Sequence, residues 1–522
     1  MARSDESSII AVDRFVQATR DSGYKGTDSA VAELVDNALQ AGARNVAISI
    51  SDASEDSKWP LRVSVLDDGC GMDWTRLRQA LRFGGSSRFN DRSGLGRYGM
   101  GLPNSSLSQA RRLDVFTWRR PKSILYSYLD VDEIAERKMT VVPEPEPASL
   151  PNWCREPKST SGTLVIWTGS DRLDHRRVST LVRKLSGSLG RVFRYFLWDG
   201  VQLLINGTQV QPSDPLYVAE NAPAPGGRLF CEPVSYQIEA RSSNGTPGGV
   251  GTVVVRFTEL PVHAWHGLSN EEKRELGIAN GAGVSVVRAN REIDFGWFFM
   301  GRKRRENYDD WWRCEVRFDP VLDEVFGITH TKQQIRPQEY LLEILSPDIE
   351  NMAKALNGRV RQAHLEIQTS ERVADVERLA GERDHLLKPL PRPKTAVEQA
   401  VLFEQLAKRH PAIKDGDAAS ANGSVRYRIV EDRMKDTCFY SFVAKDSQFV
   451  LVLNPDHPFY RTVYRPLVES DKKESDNLRQ HIDLLLLSAA RAEALATSAK
   501  ERESLARLRR DWSDTLATLL NG

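Results

Sequence analysis

Apolar side chains at Ile9, Val12, Phe15 and Val16 recur at helical spacing, and Ala30, Val31, Leu34, Val35 and Ala38 repeat the pattern before Gly42. Positions three and four apart share one face of a helix, so each set forms a stripe that has to be covered. Residues 8–42 therefore predict two packed helices, the second stopping near Gly42. The period then changes. Residues 46–50 (Val-Ala-Ile-Ser-Ile) and 61–65 (Leu-Arg-Val-Ser-Val) alternate, the rhythm of a strand with one buried face. Apolar runs at 113–116, 124–129 and 163–167 predict further strands. Residues 82–104 are rich in Gly, Ser, Arg and Asn and read as a loop leading into a helix. Together these predict an α/β sandwich, helices over a mainly antiparallel or mixed sheet, in residues 1–200.

Downstream, Pro143, Pro145, Pro147, Pro151 and Pro157 mark an insertion loop at 143–160, before the last strand of that domain. Pro/Gly-rich patches at 222–227 and 244–251 decorate a second α/β domain, 201–345, with strands at 251–257 and 284–288. Residues 346–393 read as a polar, charged helical linker, broken by Pro389, Pro391 and Pro393. A small α/β domain, 394–522, follows: a helix at 395–409, strands at 427–430, 439–443 and 449–453, and C-terminal helices over 475–519.

Composition narrows the function classes. Lys plus Arg number 72 against 71 Asp plus Glu, a net charge of +1, so a nucleic acid or a membrane would have to be met by a local patch. Cys70, Cys154, Cys231, Cys314 and Cys438 are scattered, with no CxxC pair. A disulfide framework or zinc site is not expected, and a reducing, cytoplasmic setting is. The N-terminus carries no apolar signal-peptide core, and Leu484 to Leu487 is too short a run to span a bilayer, so no membrane partner is expected.

Three short stretches carry the chemistry. In Glu33-Leu-Val-Asp36-Asn37, Glu33 and Asn37 are four apart and share a helix face. Asn37 offers a neutral oxygen suited to Mg2+, and Glu33 can deprotonate a water aimed at a γ-phosphate. In Asp67-Asp-Gly69-Cys-Gly71-Met72, an aspartate at a strand end can accept from an exocyclic amine of adenine, while the glycines let the backbone turn against a flat base. Asp68 competes for that role; spacing to the glycines favours Asp67. The third stretch, Gly94 to Gly101, follows Gly84-Gly-Ser86-Ser87 and opens a helix whose N–H groups can cradle phosphate. It lacks the GK[ST] ending of a P-loop and the strand–turn–helix order of a dinucleotide fold. Gly162-Thr163 opens an apolar strand, where Thr163 can support the adenine pocket.

Read together, ELVDNALQAGA, DDGCGM, FGGSSR, GRYGMGL and SGT resemble the N, G1, G2 and G3 boxes of the GHKL ATPase superfamily (gyrase B, heat-shock-type chaperones, histidine kinases, MutL), and FGGSSR…GRYGMGLPNSS is most similar to its MORC branch. The resemblance covers residues 8–175. It implies a Bergerat-type ATPase domain that binds ATP with Mg2+, followed by a transducer-like (ribosomal S5-like) domain and a C-terminal helical and small α/β region. In its terms Glu33 is the general base, Asn37 the metal ligand and Asp67 the adenine reader. Gly69 and Gly71 shape the base pocket, and Gly96, Gly99 and Gly101 sit in the lid that wraps the phosphates. Met72, Gly84, Ser86, Ser87, Arg97, Tyr98, Met100, Leu102 and Thr163 complete the ATP-binding set. Two departures stand out: Gln40 where many relatives carry Asp, and Pro103-Asn104 where MORC-like proteins often carry lysine.

Thr329-His-Thr-Lys332-Gln-Gln resembles the transducer loop whose lysine reaches the γ-phosphate, which implies a catalytic role for Lys332. Arg302, Lys303, Arg304 and Arg305, near Trp297, Trp311 and Trp312, form a candidate nucleic-acid patch, with a solvated loop as the alternative. The expected function is an ATP-gated homodimeric clamp on DNA in a genome- or antiviral-defence setting. No nuclease motif is visible, so cutting would need a separate nuclease or effector protein. A chaperone-like ATPase on protein clients and an ATP-binding scaffold remain as alternatives. The N box begins too near the start for the phosphoacceptor helix of a sensor kinase.

Overall fold

The computed structural model describes all residues except 1–10, 25, 54–58, 86–99, 155–158, 221, 223, 242–246, 329–333, 392–395, 411, 412, 414–424, 435, 446, 469, 471, 472 and 522. The chain forms two compact units, Met1–Gly358 and Arg359–Gly522. The first opens with helices α1 (Val12–Ser22) and α2 (Thr27–Gln40), strands β1 (Asn45–Asp52) and β2 (Leu61–Asp67), and helices α3 (Trp74–Leu81) and α4 (Gly101–Gln109). Then come β3 (Arg112–Trp118), β4 (Ile124–Asp130), α5 (Val131–Ala135), β5 (Glu146–Pro147), β6 (Gly162–Thr168), α6 (Val178–Val192), α7 (Arg194–Trp198), β7 (Gln202–Ile205) and β8 (Thr208–Gln209).

These eight strands make one sheet in the order β5-β4-β3-β6-β2-β1-β7-β8. All pairings are antiparallel except β1 with β7, so the expected mixed sheet is what forms. Strand β6 explains why 163–167 is apolar without alternation. Val165 and Trp167 point into the core under the helices, with Leu34, Leu107 and Leu185. Leu164 and Ile166 point to the opposite face, where Phe116, Trp118 and part of the 143–154 segment cover them. A strand buried on both faces has no polar side to show. The sheet runs on to Gln209, beyond the expected boundary at 200.

The second sheet is built from β9 (Arg228–Leu229), β10 (Val234–Arg241), β11 (Pro247–Glu259), β12 (Val284–Arg288), β13 (Arg291–Gly296) and β14 (Trp312–Phe318), with short helices α8 (Val262–Trp265) and α9 (Asn270–Glu275) between β11 and β12. Its order is β10-β11-β14-β12-β13, with β9 on β11 and a parallel β12–β14 pair. Helix α10 (Glu339–Arg383) starts before the expected linker. Leu341, Leu345, Ile349, Ala353 and Leu356 enter the core of this sheet, so residues 346–358 are part of the domain rather than a spacer. Their stripe is narrow and lies among charged residues, which is why the segment reads as polar.

The second unit holds helices α11 (Ala396–Arg409), α12 (Arg465–Val468), α13 (Lys473–Ala494) and α14 (Ala499–Leu520) around strands β15 (Arg426–Glu431), β16 (Tyr440–Lys445) and β17 (Gln448–Leu453). The order is β15-β17-β16. Strand β17 again divides its residues by parity: Phe449, Leu451 and Leu453 pack with Leu486, Leu487 and Ala490, whereas Val450 and Val452 pack with Phe403 and Leu406. None of the five cysteines forms a disulfide. Among the described residues no helix is long and apolar enough to cross a membrane.

Candidate nucleotide site

Helix α2 is buried along nearly its whole length, which forces its polar residues to find partners inside the fold. Asp174 caps its start: the Thr27 N–H donates to Asp174 Oδ2 at 2.7 Å. Glu33 and Asp36 are both buried, at 4% and 0% exposure. Asp36 accepts from the Nε of Arg291, at 2.9 Å to Oδ1 and 2.8 Å to Oδ2. Arg291 opens β13, so this pair joins the first sheet's helix to the second sheet. Glu33 accepts from the Tyr24 hydroxyl and lies against the start of α4. A Cβ at Gly101 would sit 2.1 Å from Glu33 Oε1, so only glycine lets the helix start approach that carboxylate. Asn37, one turn beyond Glu33, is half-buried, and its amide nitrogen has no hydrogen-bond partner among the described residues.

The other end of α2 meets the Asp67 loop, where Cys70 N–H donates to Ala41 O at 2.9 Å. Asp67, Thr163 and Thr117 stand in register on β2, β6 and β3, forming one row across the sheet. Gly69 N–H donates to Asp67 Oδ1 at 2.8 Å. Met72 N–H donates to Thr117 Oγ1 at 2.8 Å, and that hydroxyl lies 3.1 Å from Gly162 O and 3.2 Å from Thr163 Oγ1. Gly71 has φ +63°, and a Cβ there would strike Trp118 O at 2.0 Å. Burial raises the pKa of Asp67 to about 6, against the opposing pull of the Gly69 and Thr163 N–H groups. Asp68 is engaged elsewhere: it accepts from Arg44 N–H at 2.8 Å, from Asn45 N–H at 2.9 Å and from the Asn45 amide at 2.6 Å. Asp68 is thus held at the start of β1, whereas Asp67 stands in the row with Thr163 and Thr117.

Glu33 and Ala41 are eight residues apart, so the two ends of this groundwork are separated by about 12 Å at 1.5 Å per residue. One end presents a buried carboxylate and a helix N-terminus; the other presents a buried aspartate beside threonines. Gly84 (φ +76°), Met100 and Leu102 are described, Met100 as the cap of α4 and Leu102 packed on the core. Ser86, Ser87, Gly96, Arg97, Tyr98, Gly99 and Lys332 lie outside the described residues. Sequence reading missed Tyr24, Thr117 and Arg291. Thr117 is visible only through strand register, and Arg291 is 255 residues from its partner.

The basic cluster needs one correction. Lys303 is buried at 7% exposure, its ammonium 2.6 Å from Asp309 Oδ1 and 5.2 Å from the centre of the Trp297 ring. An ammonium neutralised inside the fold is not available to a phosphate backbone. Trp312 is fully buried too, so it offers no stacking platform. Arg302, Arg304 and Arg305 are exposed, with Arg305 3.5 Å from Asp310.

Residues 24–163 match the family described as histidine kinase-, DNA gyrase B- and HSP90-like ATPase. The chain is 29% identical over 188 residues to ATPase MORC2 of Homo sapiens, 38% over 92 residues to ATPase morc-1 of Caenorhabditis elegans, and 43% over 67 residues to the DNA mismatch repair protein MutL of Halobacterium salinarum. These matches cover 34%, 18% and 13% of this chain and 17%, 10% and 9% of the respective relatives. The chain thus spans less than a fifth of the length of these curated relatives. Residues 24–163, which hold most of the mixed sheet and its buried acidic helix, thus match the histidine kinase-, DNA gyrase B- and HSP90-like (GHKL) ATPases, and the chain is similar to MORC ATPases and MutL.

Proposed function

We propose that this chain is an ATPase whose nucleotide cycle closes and reopens a dimeric clamp, with DNA as the client. The observation that carries the reading is the placement of Glu33, a buried carboxylate set against the first residue of α4 with Asn37 one turn beyond. Glu33 takes the proton of a water directed at the γ-phosphate, and the N–H groups opening α4 receive phosphate oxygens through their dipoles. Asn37 would hold Mg2+: its half-buried side chain offers a neutral oxygen suited to a hard cation, and its amide nitrogen has no hydrogen-bond partner among the described residues. Bound there, Mg2+ supplies charge neutralisation to the phosphates. Lys332, by resemblance to the transducer loop, meets charge developing on the γ-phosphate. The exposed Arg302, Arg304 and Arg305 are the DNA candidates. Defence of the genome, and a separate effector for cutting, complete the proposal.

Asp67 ties binding to pH. Its carboxylate accepts from the exocyclic amine of adenine, and the ionised form accepts best. With a folded pKa of about 6, the ionised form dominates above pH 6 and is lost below it. Nucleotide affinity is therefore expected to weaken roughly tenfold from pH 7 to pH 5. For stability the sign is opposite. The raised pKa stabilises the fold below the ordinary carboxylate range, and that contribution is lost as pH rises through about 6. Titration calorimetry from pH 5 to 8, with Asp67→Asn as reference, separates this effect from protonation of the nucleotide's phosphates. Parallel profiles for the two proteins would remove Asp67 from the adenine contact.

The clamp is tested by size-exclusion chromatography with and without a non-hydrolysable ATP analogue, repeated with duplex DNA. The expected result is a monomer-to-dimer shift with the analogue and co-elution of DNA with the dimer. A dimer without DNA retention, unchanged when Arg302, Arg304 and Arg305 are replaced by Ser, would favour a protein client instead.

A further inference from the structure

Tyr24 lies in the short segment joining α1 to α2, is 5% exposed, and sits in the core of the first sheet among apolar side chains. Phenylalanine would fill that space without a polar atom to satisfy. The tyrosine instead carries its hydroxyl to Glu33 as a hydrogen-bond donor, and the charges of Arg291 and Asp36 act on it from close by. Its own backbone is tied down: Tyr24 O accepts from Gln109 Nε2 at 3.4 Å, and the same Gln109 side chain accepts from Thr27 Oγ1 at 2.9 Å. The ring thus spans from a fixed turn to the carboxylate with little rotational freedom.

We propose that Tyr24 is a positioning residue for hydrolysis, holding the Glu33 carboxylate ionised and aimed toward the start of α4. This rests on the reading of Glu33 as the base. Among the described residues, Tyr24 faces Glu33 and Asp36 from α2 and Arg291 from β13, and Glu33 is also approached by Gly101 of α4, which contains no titratable side chain. Tyr24 supplies a neutral donor to that carboxylate. Burial, and then the Glu33 charge, raise the tyrosine's pKa well above 10, so it remains a donor across the working range. A hydrogen bond donated to a carboxylate favours the charged form, which is the form a base needs. It also restricts the carboxylate to one orientation, which matters because small misplacements of a reacting group slow a reaction steeply.

The experiment compares Tyr24→Phe with the wild-type chain in kcat, KM and the pH dependence of kcat, with a thermal melt confirming that the isosteric variant is folded. Losing a hydrogen bond to a charged group is expected to lower kcat about tenfold, with KM for ATP unchanged. The acidic limb of the profile should move up by about one pH unit, since the protonated carboxyl is no longer disfavoured. A packing role alone would leave that limb in place. Glu33→Gln, run in parallel, separates the two layers. If Glu33→Gln loses hydrolysis while Tyr24→Phe keeps the wild-type kcat and profile, the positioning role of Tyr24 is overturned and the base stands. If Glu33→Gln hydrolyses ATP like the wild type, the base assignment falls and this inference falls with it.

Discussion

Glu33→Gln is expected to abolish steady-state ATP hydrolysis while nucleotide binding survives. The substitution keeps the shape of the side chain and its contacts with Tyr24 and Gly101, but an amide cannot take a proton from water. Removing a general base slows a reaction by on the order of 10²- to 10⁴-fold. Binding should change little, because glutamine keeps the fit against the start of α4, and Asp67 and Thr163 lie toward the other end of α2. The measurement is phosphate release under saturating ATP, alongside the affinity for a non-hydrolysable analogue. Loss of both activities together would indicate that Glu33 supports the fold rather than the chemistry; retention of turnover would dismiss it as the base.

The second large effect is expected in stability, at the buried pair between Asp36 and Arg291. Both side chains are almost wholly removed from water, and the bond crosses from α2 to β13. It does not stand alone. Arg194, fully buried at 0% exposure, reaches Glu292 Oε2 at 2.9 Å and Glu315 Oε2 at 2.6 Å, and Arg191 reaches Glu292 Oε1 at 2.7 Å. Against the cost of burial, Arg194 and Arg256 hold the Glu315 carboxyl below its ordinary range. Arginines of α6 and α7 thus enter the second sheet while an arginine of the second sheet enters α2. Removing one member strands a charge in a medium that cannot solvate it. Asp36→Ala is therefore expected to destabilise the first unit by about 3–5 kcal/mol. Replacing both partners by apolar residues, Asp36→Leu with Arg291→Met, should cost far less, since neither charge is then left buried. Denaturant unfolding of the two single variants and the double variant measures this. A double variant whose loss equals the sum of the single losses would deny the coupling. The same pair sits one turn from Glu33, so the second domain is mechanically joined to the helix that carries the proposed base.

Much of this site was legible without coordinates because its parts are local. Glu33, Asp36 and Asn37 fall within five residues of one amphipathic helix, and Asp67 through Met72 fall within six at a strand end. Such short windows carry their own geometry. The alternation in 46–50 and 61–65 matched β1 and β2, and the proline-marked 143–160 segment, read as a loop, does form a short edge strand, Glu146–Pro147. Lys303 was misread for a physical reason. A run of four cations looks solvent-facing in a linear chain, and nothing local indicates that Asp309 folds back to take one of them inside.

The chain alone indicated the first two helices, β1 and β2, and which acidic and glycine positions resemble the family's boxes, because periodicity and backbone preference act over a few residues. Tertiary structure decided the rest. It set Asp67, Thr163 and Thr117 in one row, brought Gly101 against Glu33, joined Tyr24 to that carboxylate, paired Asp36 with an arginine 255 residues away, and drew the first turns of α10 into the second core. Each of these depends on which surfaces meet when elements pack, and a buried charge selects its partner from whatever the opposing surface places within reach, at any distance along the chain.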